Sequence, residues 1–412
     1  MTDPSFSPNR EGLELALDAI LNPPASSIDA ALDPALPEAG VGEIKTLELL
    51  APIIIGGARR LGDATAFAHM DPPTPWITWA TALWNAALNQ NLLHPDVAPV
   101  ARDIEKRVVS WLAPYFGMAG GHMTPGSTVA NLTALWAARE LKGIKRVVTS
   151  KAAHLSVAKS AHILGLRTLN VGTNSLGQID AAQLPADLSD AALVLTAGTT
   201  SAGAIDDLSL ANRAAWVHVD AAWAGPLRLS NTHRDRLEGI DKSDSVSISP
   251  HKWFFQPKES GLVLFKDVAA ANRAVSYGGE YLTAPNIGLL GSHGASAVPL
   301  LATLLSWGRT GLEERIDAAM TLSNRLFTFL SEQPNVKLYA PNTSGVILWN
   351  AEECIDAHAI IDQLPEGSAS IARVDGSDWV RHVPANPNAA VEILTSAIEQ
   401  VLDNAACAPP VP

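Results

Sequence analysis

Two apolar runs in this sequence end on charges that a strand interior does not keep without partners. "SVSISPHKWFF" (245–255) leads into His251, Lys252 and Trp253, and "AWVHVDAAWAG" ends its apolar alternation on Asp220, 32 residues earlier. Desolvation of a lysine among apolar and aromatic neighbours lowers its pKa toward the range where a neutral amine attacks a carbonyl. A carboxylate at a buried strand end needs a cation or hydrogen-bond donors. A third stretch, "TPGSTVANL", breaks at Pro125 and Gly126 before a helix, and Ser127 and Thr128 then offer hydroxyls and backbone donors. A helix start of this kind favours an anion such as phosphate. Taken singly, each feature has a plain alternative: a Ser/Thr helix cap, an acidic cap on the next turn, and a surface lysine.

Pyridoxal 5′-phosphate would use all three groups, since it carries a phosphate, a pyridinium that needs a carboxylate and an aldehyde that needs a lysine. Residues 115–265 resemble the group II pyridoxal-phosphate-dependent decarboxylases, which include aromatic amino acid, glutamate and histidine decarboxylases. In that resemblance Lys252 of "SPHKW" matches the lysine that carries the cofactor, and His251 the histidine that helps to position it. Asp220 of "HVDAAWAG" matches the partner of the pyridine nitrogen, and Ala222 the small residue against one ring face. His154 of "HLSVAKSAHILG" matches the histidine stacked on the other face. Ser127, Thr128 and Ser249 fall at phosphate-contacting positions, and "TAGTTSAGAIDDL" brings Thr200 near the cofactor. "WVRHVPANP" resembles the glutamate-decarboxylase pattern whose arginine, here Arg381, meets the substrate carboxylate. "FAHMDPPTPW" falls where relatives line the side-chain pocket, which makes His69, Met70, Asp71 and Pro72 candidates. Trp76 and Trp79 suit a large ring and Asp71 a cationic side chain; the expectation leans to an aromatic amino acid.

One segment departs from the family. Larger relatives carry, after the lysine, a mobile loop whose tyrosine comes from the neighbouring subunit. Here "FKDVAAANRAVSYGGEYLTAPNIGLLGSHGAS" is shorter, and Tyr277, Tyr281 and His293 are the remaining candidates beside His154 and water. The implied reaction is decarboxylation of an L-amino acid to its amine, with Lys252, Asp220 and His154 as catalytic residues. Carbon–carbon cleavage of the lyase or aldolase type, decarboxylation coupled to transamination, and a non-catalytic homologue are the rivals.

The elements that must position these residues follow from the hydrophobic rhythm. "RVVTS", "ALVLTAG", "AWVHVD", "SVSIS" and "GLVLF" alternate with helical segments such as "TVANLTALWAARELKG" and "SVAKSAHILG", which argues for a mostly parallel sheet covered by helices. "PVARDIEKRVVSWLAPYFG" places Val100, Ile104, Val108, Trp111, Leu112 and Tyr115 on one helical face, closed by Gly117. "SGVILWN", "SASIARV" and "WVRHV" predict strands of a small α+β domain near the end. The resemblance implies an aspartate-aminotransferase-like (fold type I) large domain with a seven-stranded, mostly parallel sheet. We expect an N-terminal helical arm at 1–95, a cofactor-binding domain at 96–310 and a small domain at 311–412, assembled as a homodimer.

The totals narrow the partners. The 412 residues carry 29 basic and 42 acidic side chains, a formal charge of −13 whose field repels nucleic acid and anionic membrane surfaces. Cys354 and Cys407 stand far apart and without metal-ligand spacing, so neither a disulfide framework nor a metal site is expected. The start lacks a basic segment followed by an apolar run, and "LLAPIIIGGA" is too short to span a bilayer; a cytoplasmic enzyme acting on a small molecule is expected.

Overall fold

The computed structural model describes residues 7–27, 32, 35–280, 282–283, 285–351 and 355–406; Tyr281 and both cysteines lie outside them. The chain divides into two compact units at Arg60. In the first, α1 (Arg10–Leu21) is capped by Asn9, whose side chain accepts from Gly12 N–H at 3.0 Å, and α2 (Glu43–Ile54) follows. Ile44 of α2 packs against Gly12 of α1.

The second unit begins with α3 (Trp76–Leu88) and α4 (Ala101–Leu112). The buried face of α4 is Ala101, Val108, Val109 and Leu112; Val100 and Trp111, expected on it, are exposed. Val100 is the N-cap residue, and the apolar stripe turns toward Val109. Seven strands then form one sheet: β1 (Gly120–Thr124), β2 (Arg146–Ser150), β3 (Arg167–Val171), β4 (Ala191–Thr196), β5 (Trp216–Asp220), β6 (Ser245–Ile248) and β7 (Gly261–Phe265). Their order is β1-β7-β6-β5-β4-β2-β3, with four parallel neighbour pairs and with β7 antiparallel to both β6 and β1. β4 to β7 are buried at every residue, as a sheet covered on both faces requires.

The covering helices are α5 (Ser127–Lys142), α6 (Leu155–Ile163) and α7 (Val268–Ala274) on one side, with α4 and the long run α8 (Ala297–Ser331) contributing to the other core. Ala130, Ala134, Ala137 and Ala138 of α5 are fully buried, and such small residues let the helix lie close on β5 to β7. Helix α8 is broken at Gly308, whose φ of 60° and ψ of −172° interrupt the helical path. A two-residue hairpin, β8 (Ser276–Tyr277) with β9 (Asn286–Ile287), precedes it. The remainder forms an antiparallel sheet of order β10-β11-β13-β12, from β10 (Val336–Leu338), β11 (Ile347–Ala351), β12 (Ser370–Val374) and β13 (Ser377–His382). Its helices are α9 (Ala357–Gln363) and α10 (Val391–Ala406). No helix among the described residues is long and apolar enough to cross a membrane.

Candidate active site

The parallel strands share one carboxyl edge, and there the chain closes a cavity of about 240 Å³. β1 supplies Pro125 and Gly126, with Ser127, Thr128 and Val129 opening α5; β2 leads to His154, the N-cap of α6. β4 supplies Thr196, Gly198 and Thr200, β5 supplies Asp220 and Ala222, and β6 leads to His251 and Lys252. Eight residues expected from the sequence therefore meet around one space: Ser127, Thr128, His154, Thr200, Asp220, Ala222, His251 and Lys252.

The start of α5 is a bare helix end. Its N-cap is Gly126, which has no side chain to cap with, so Ser127 and Thr128 occupy the first turn instead of capping it. Gly126 has a φ of 142°, and a β-carbon on Gly261 of β7 would sit 2.5 Å from the Gly126 carbonyl carbon. Two glycines thus let β7 press the turn into place. Ser249, expected at a phosphate-contacting position, is buried and not among the cavity lining; its Oγ finds no hydrogen-bond partner among the described residues, and neither do Thr196 Oγ1 and His251 Nδ1. Of these, Thr196 and His251 line the cavity together with the start of α5, and partnerless polar atoms there fit a polar, anionic group.

Asp220 is 3 % exposed, and its carboxylate is held by neutral donors. Asn131 Nδ2 donates to Oδ2 at 2.8 Å, and Ala222 N–H donates to Oδ1 at 3.1 Å. No ion pair forms to it among the described residues, which leaves the negative charge available to a ring N–H. The Lys252 ammonium likewise makes no hydrogen bond among the described residues. Burial lowers its pKa and Asp220 and Asp71 oppose the shift, with Lys258 and Arg381 reinforcing it. Burial also lowers His154, against the pull of Asp220, and takes His251 down to about 4, with Lys258 and Lys252 adding to the effect. Behind the cavity Trp223 and Trp253 pack with ring centroids 4.2 Å apart.

Other expected residues stand outside that lining. Arg381, on β13, is 6 % exposed and donates to Thr200 O at 3.0 Å, Ala68 O at 2.9 Å and Ser370 Oγ at 3.3 Å. Asp71 is paired with Lys258; burial raises its pKa, and Lys258, His69 and Lys252 outweigh that to leave it lowered. His69 is exposed, Met70 and Pro72 are buried, and Trp76 and Trp79 are exposed on α3. Tyr277 is 67 % exposed and stacks on Trp136; His293 lines different cavities and bonds to Gly291 O.

Sequence reasoning missed Asn131, Ser156, His218 and Ser247, which surround Asp220 and His154. A signal for Asn131 exists, as the polar residue four positions after Ser127 on the inner, alanine-lined face of α5.

Residues 27–351 match the family model described as the pyridoxal-dependent decarboxylase conserved domain. An L-2,4-diaminobutyrate decarboxylase of Rhizobium meliloti (strain 1021) is 34% identical over 352 residues, covering 77% of this chain and 71% of that protein. An aromatic-L-amino-acid decarboxylase of Bacillus atrophaeus is 27% identical over 282 residues, 60% of this chain and 59% of that one. Among solved structures, Oryza sativa TDC with pyridoxal phosphate and tryptamine superposes with a TM-score of 0.85 at 19% identity, covering 96% of this chain and 97% of that one. That likeness shows the fold. Matched by the family model over most of its length, this chain belongs to the pyridoxal-dependent decarboxylases and is a pyridoxal-phosphate-dependent carboxy-lyase.

Proposed function

We propose that the enzyme removes the α-carboxylate of an L-amino acid bearing a second, cationic amino group, and works as a cytoplasmic homodimer. When bound, pyridoxal phosphate supplies an electron sink for the charge left by departing carbon dioxide. The start of α5 with Ser127, Thr128 and Ser249 would receive the phosphate, and Lys252 the aldehyde. Asp220 would accept from the ring nitrogen, Ala222 and His154 would flank the ring, and His251 and Thr200 would border it. Arg381, whose Nε and Nη1 hydrogens are already given to Thr200, Ala68 and Ser370, would offer those of Nη2 to the substrate carboxylate.

The observation that carries the choice of substrate is Asp71. Its carboxylate, paired with Lys258, lies close enough to bear on the charges of Lys252, His251 and Arg381, and a substrate ammonium would take the place of Lys258 against it. A second ammonium on the substrate suits that field, and two relatives are named as L-2,4-diaminobutyrate decarboxylases. The aromatic alternative drew on Trp76 and Trp79, which are exposed on α3 and absent from the cavity lining. With Leu83, Trp84 and Leu88 they form an outward apolar face that supports the dimer.

Measuring carbon dioxide release from L-2,4-diaminobutyrate, aromatic, aspartate and glutamate substrates tests the reading. The diamino acid should give the highest kcat/KM. A higher value for an aromatic amino acid would overturn the choice.

A further inference from the structure

A buried polar chain behind the cavity has a direction that the hydrogen-bond chemistry fixes. Asn131 is fully buried on α5. Its Oδ1 accepts from Ser247 Oγ at 2.6 Å and from His218 Nε2 at 2.9 Å; its Nδ2 donates to Asp220 Oδ2 at 2.8 Å and to Ser156 Oγ at 2.9 Å. The amide cannot be reversed, because its oxygen would then face the Asp220 carboxylate. Since Oδ1 only accepts, His218 carries its hydrogen on Nε2. His218 Nδ1 therefore accepts from Ser245 Oγ at 2.9 Å, and that oxygen accepts in turn from Trp216 Nε1 at 2.9 Å.

The other branch ends on the cavity wall. Ser156 Oγ takes a hydrogen from Asn131 and so has its own to give; the available acceptor is His154 Nδ1, at 2.8 Å. The Ser156 backbone N–H reaches the same nitrogen at 3.3 Å. A ring nitrogen that receives two donors carries no hydrogen, so the hydrogen of neutral His154 sits on Nε2.

We propose that Asn131 and Ser156 are positioning residues that lock His154 in its Nε2–H tautomer, so that the cavity wall presents a hydrogen-bond donor and not an acid. A neutral imidazole in this form orients a substrate oxygen, but it releases that hydrogen too reluctantly to protonate product. The charged groups acting on His154 are Asp220, which favours the imidazolium, and Lys252, which opposes it together with burial. The inference takes the meaning of the cavity from the proposed function, yet the tautomer is measurable without cofactor, so the two can fail separately.

The test is a two-bond proton–nitrogen correlation spectrum of the full chain labelled with 15N-histidine, recorded with and without pyridoxal phosphate. Signals lost in His154→Gln identify the residue. His154 should show an unprotonated Nδ1 and a protonated Nε2 at pH 7 in both states. Ser156→Ala should weaken that preference and raise the apparent pKa of His154, and kcat of the loaded enzyme should fall on the order of tenfold, as for other groups that orient a working histidine. Asn131→Ala should move the spectrum the same way. An Nδ1–H tautomer or an imidazolium at pH 7 in the wild type overturns the proposal, as does a Ser156→Ala or Asn131→Ala spectrum identical to the wild type. If a variant does not fold, the wild-type spectrum decides alone.

Discussion

Replacing Arg381 with methionine separates the cost of keeping a charge in the interior from the use made of it. Burial pushes the guanidinium from its ordinary high value down to about 10, with Asp71 opposing. At about 1.4 kcal/mol per tenfold, holding it charged costs the fold on the order of 3 kcal/mol. The sign follows from linkage: a base whose folded pKa is depressed is relieved by unfolding at every pH below about 10. Against this stand the hydrogen bonds to Thr200 O, Ala68 O and Ser370 Oγ, at about 1 kcal/mol net each. The two contributions nearly cancel, so Arg381→Met should shift Tm by only a few degrees. A charge-assisted carboxylate contact from Nη2 contributes up to about 3 kcal/mol, so KM for substrate should rise on the order of a hundredfold with cofactor affinity unchanged. Scanning fluorimetry, absorbance titration with pyridoxal phosphate and steady-state carbon dioxide release measure the three quantities. A large fall in Tm with KM unaltered would make Arg381 a structural residue and refute the reasoning.

Borohydride reduction of the loaded enzyme followed by peptide mapping should place a pyridoxyl group on Lys252; a label on Lys258 would reassign the site. Asp220→Ala should lower kcat on the order of a thousandfold while the chain still takes up cofactor, and near wild-type turnover would remove its role. His218 and His382, both fully buried with pKa values near 4, stay neutral while the unfolded chain protonates from pH 6.5 downward, so each withdraws about 2 kcal/mol of stability between pH 7 and 5. Asp206, raised to about 6 by burial, offsets part of that loss because its folded form gains the proton first; urea midpoints should still fall, and equal midpoints at the two pH values would contradict the shifts. With Tyr277 and His293 away from the cavity, turnover should yield amine together with some aldehyde, the aldehyde matched one for one by pyridoxamine phosphate that has taken up the amino group; clean amine that persists in Tyr281→Phe would point to an efficient donor elsewhere.

The candidate site was legible where it interrupts a pattern. Asp220 stands out because a buried strand ends on it, Lys252 because it lies in the apolar, aromatic turn that follows β6, which stops at Ile248, and β2 and β4 to β7 stand out as apolar runs. β1 carries Gly120 and Gly121, and β3 is an edge strand with four of its five residues exposed, so neither has the apolar rhythm of an interior strand. β10 is only three residues long. Asn131, Ser156 and Ser247 escaped notice because a polar residue inside a helix or strand looks the same whether it faces water or a carboxylate. Only the three-dimensional meeting of α5, α6, β5 and β6 distinguishes the two. The plain alternative of a Ser/Thr cap at α5 fails because the cap position belongs to Gly126 and no side chain caps the helix.

Arg381 belongs to β13 of the antiparallel sheet, whereas every residue lining the cavity comes from the carboxyl edge of the seven-stranded one. The proposed hold on the α-carboxylate, a group every amino acid carries, and the proposed chemistry are thus encoded on different stretches of the chain. Changes in the last strands would alter the hold on every amino acid alike and leave the cavity lining untouched, so a lineage seeking a new substrate would have to work elsewhere, at positions such as Asp71.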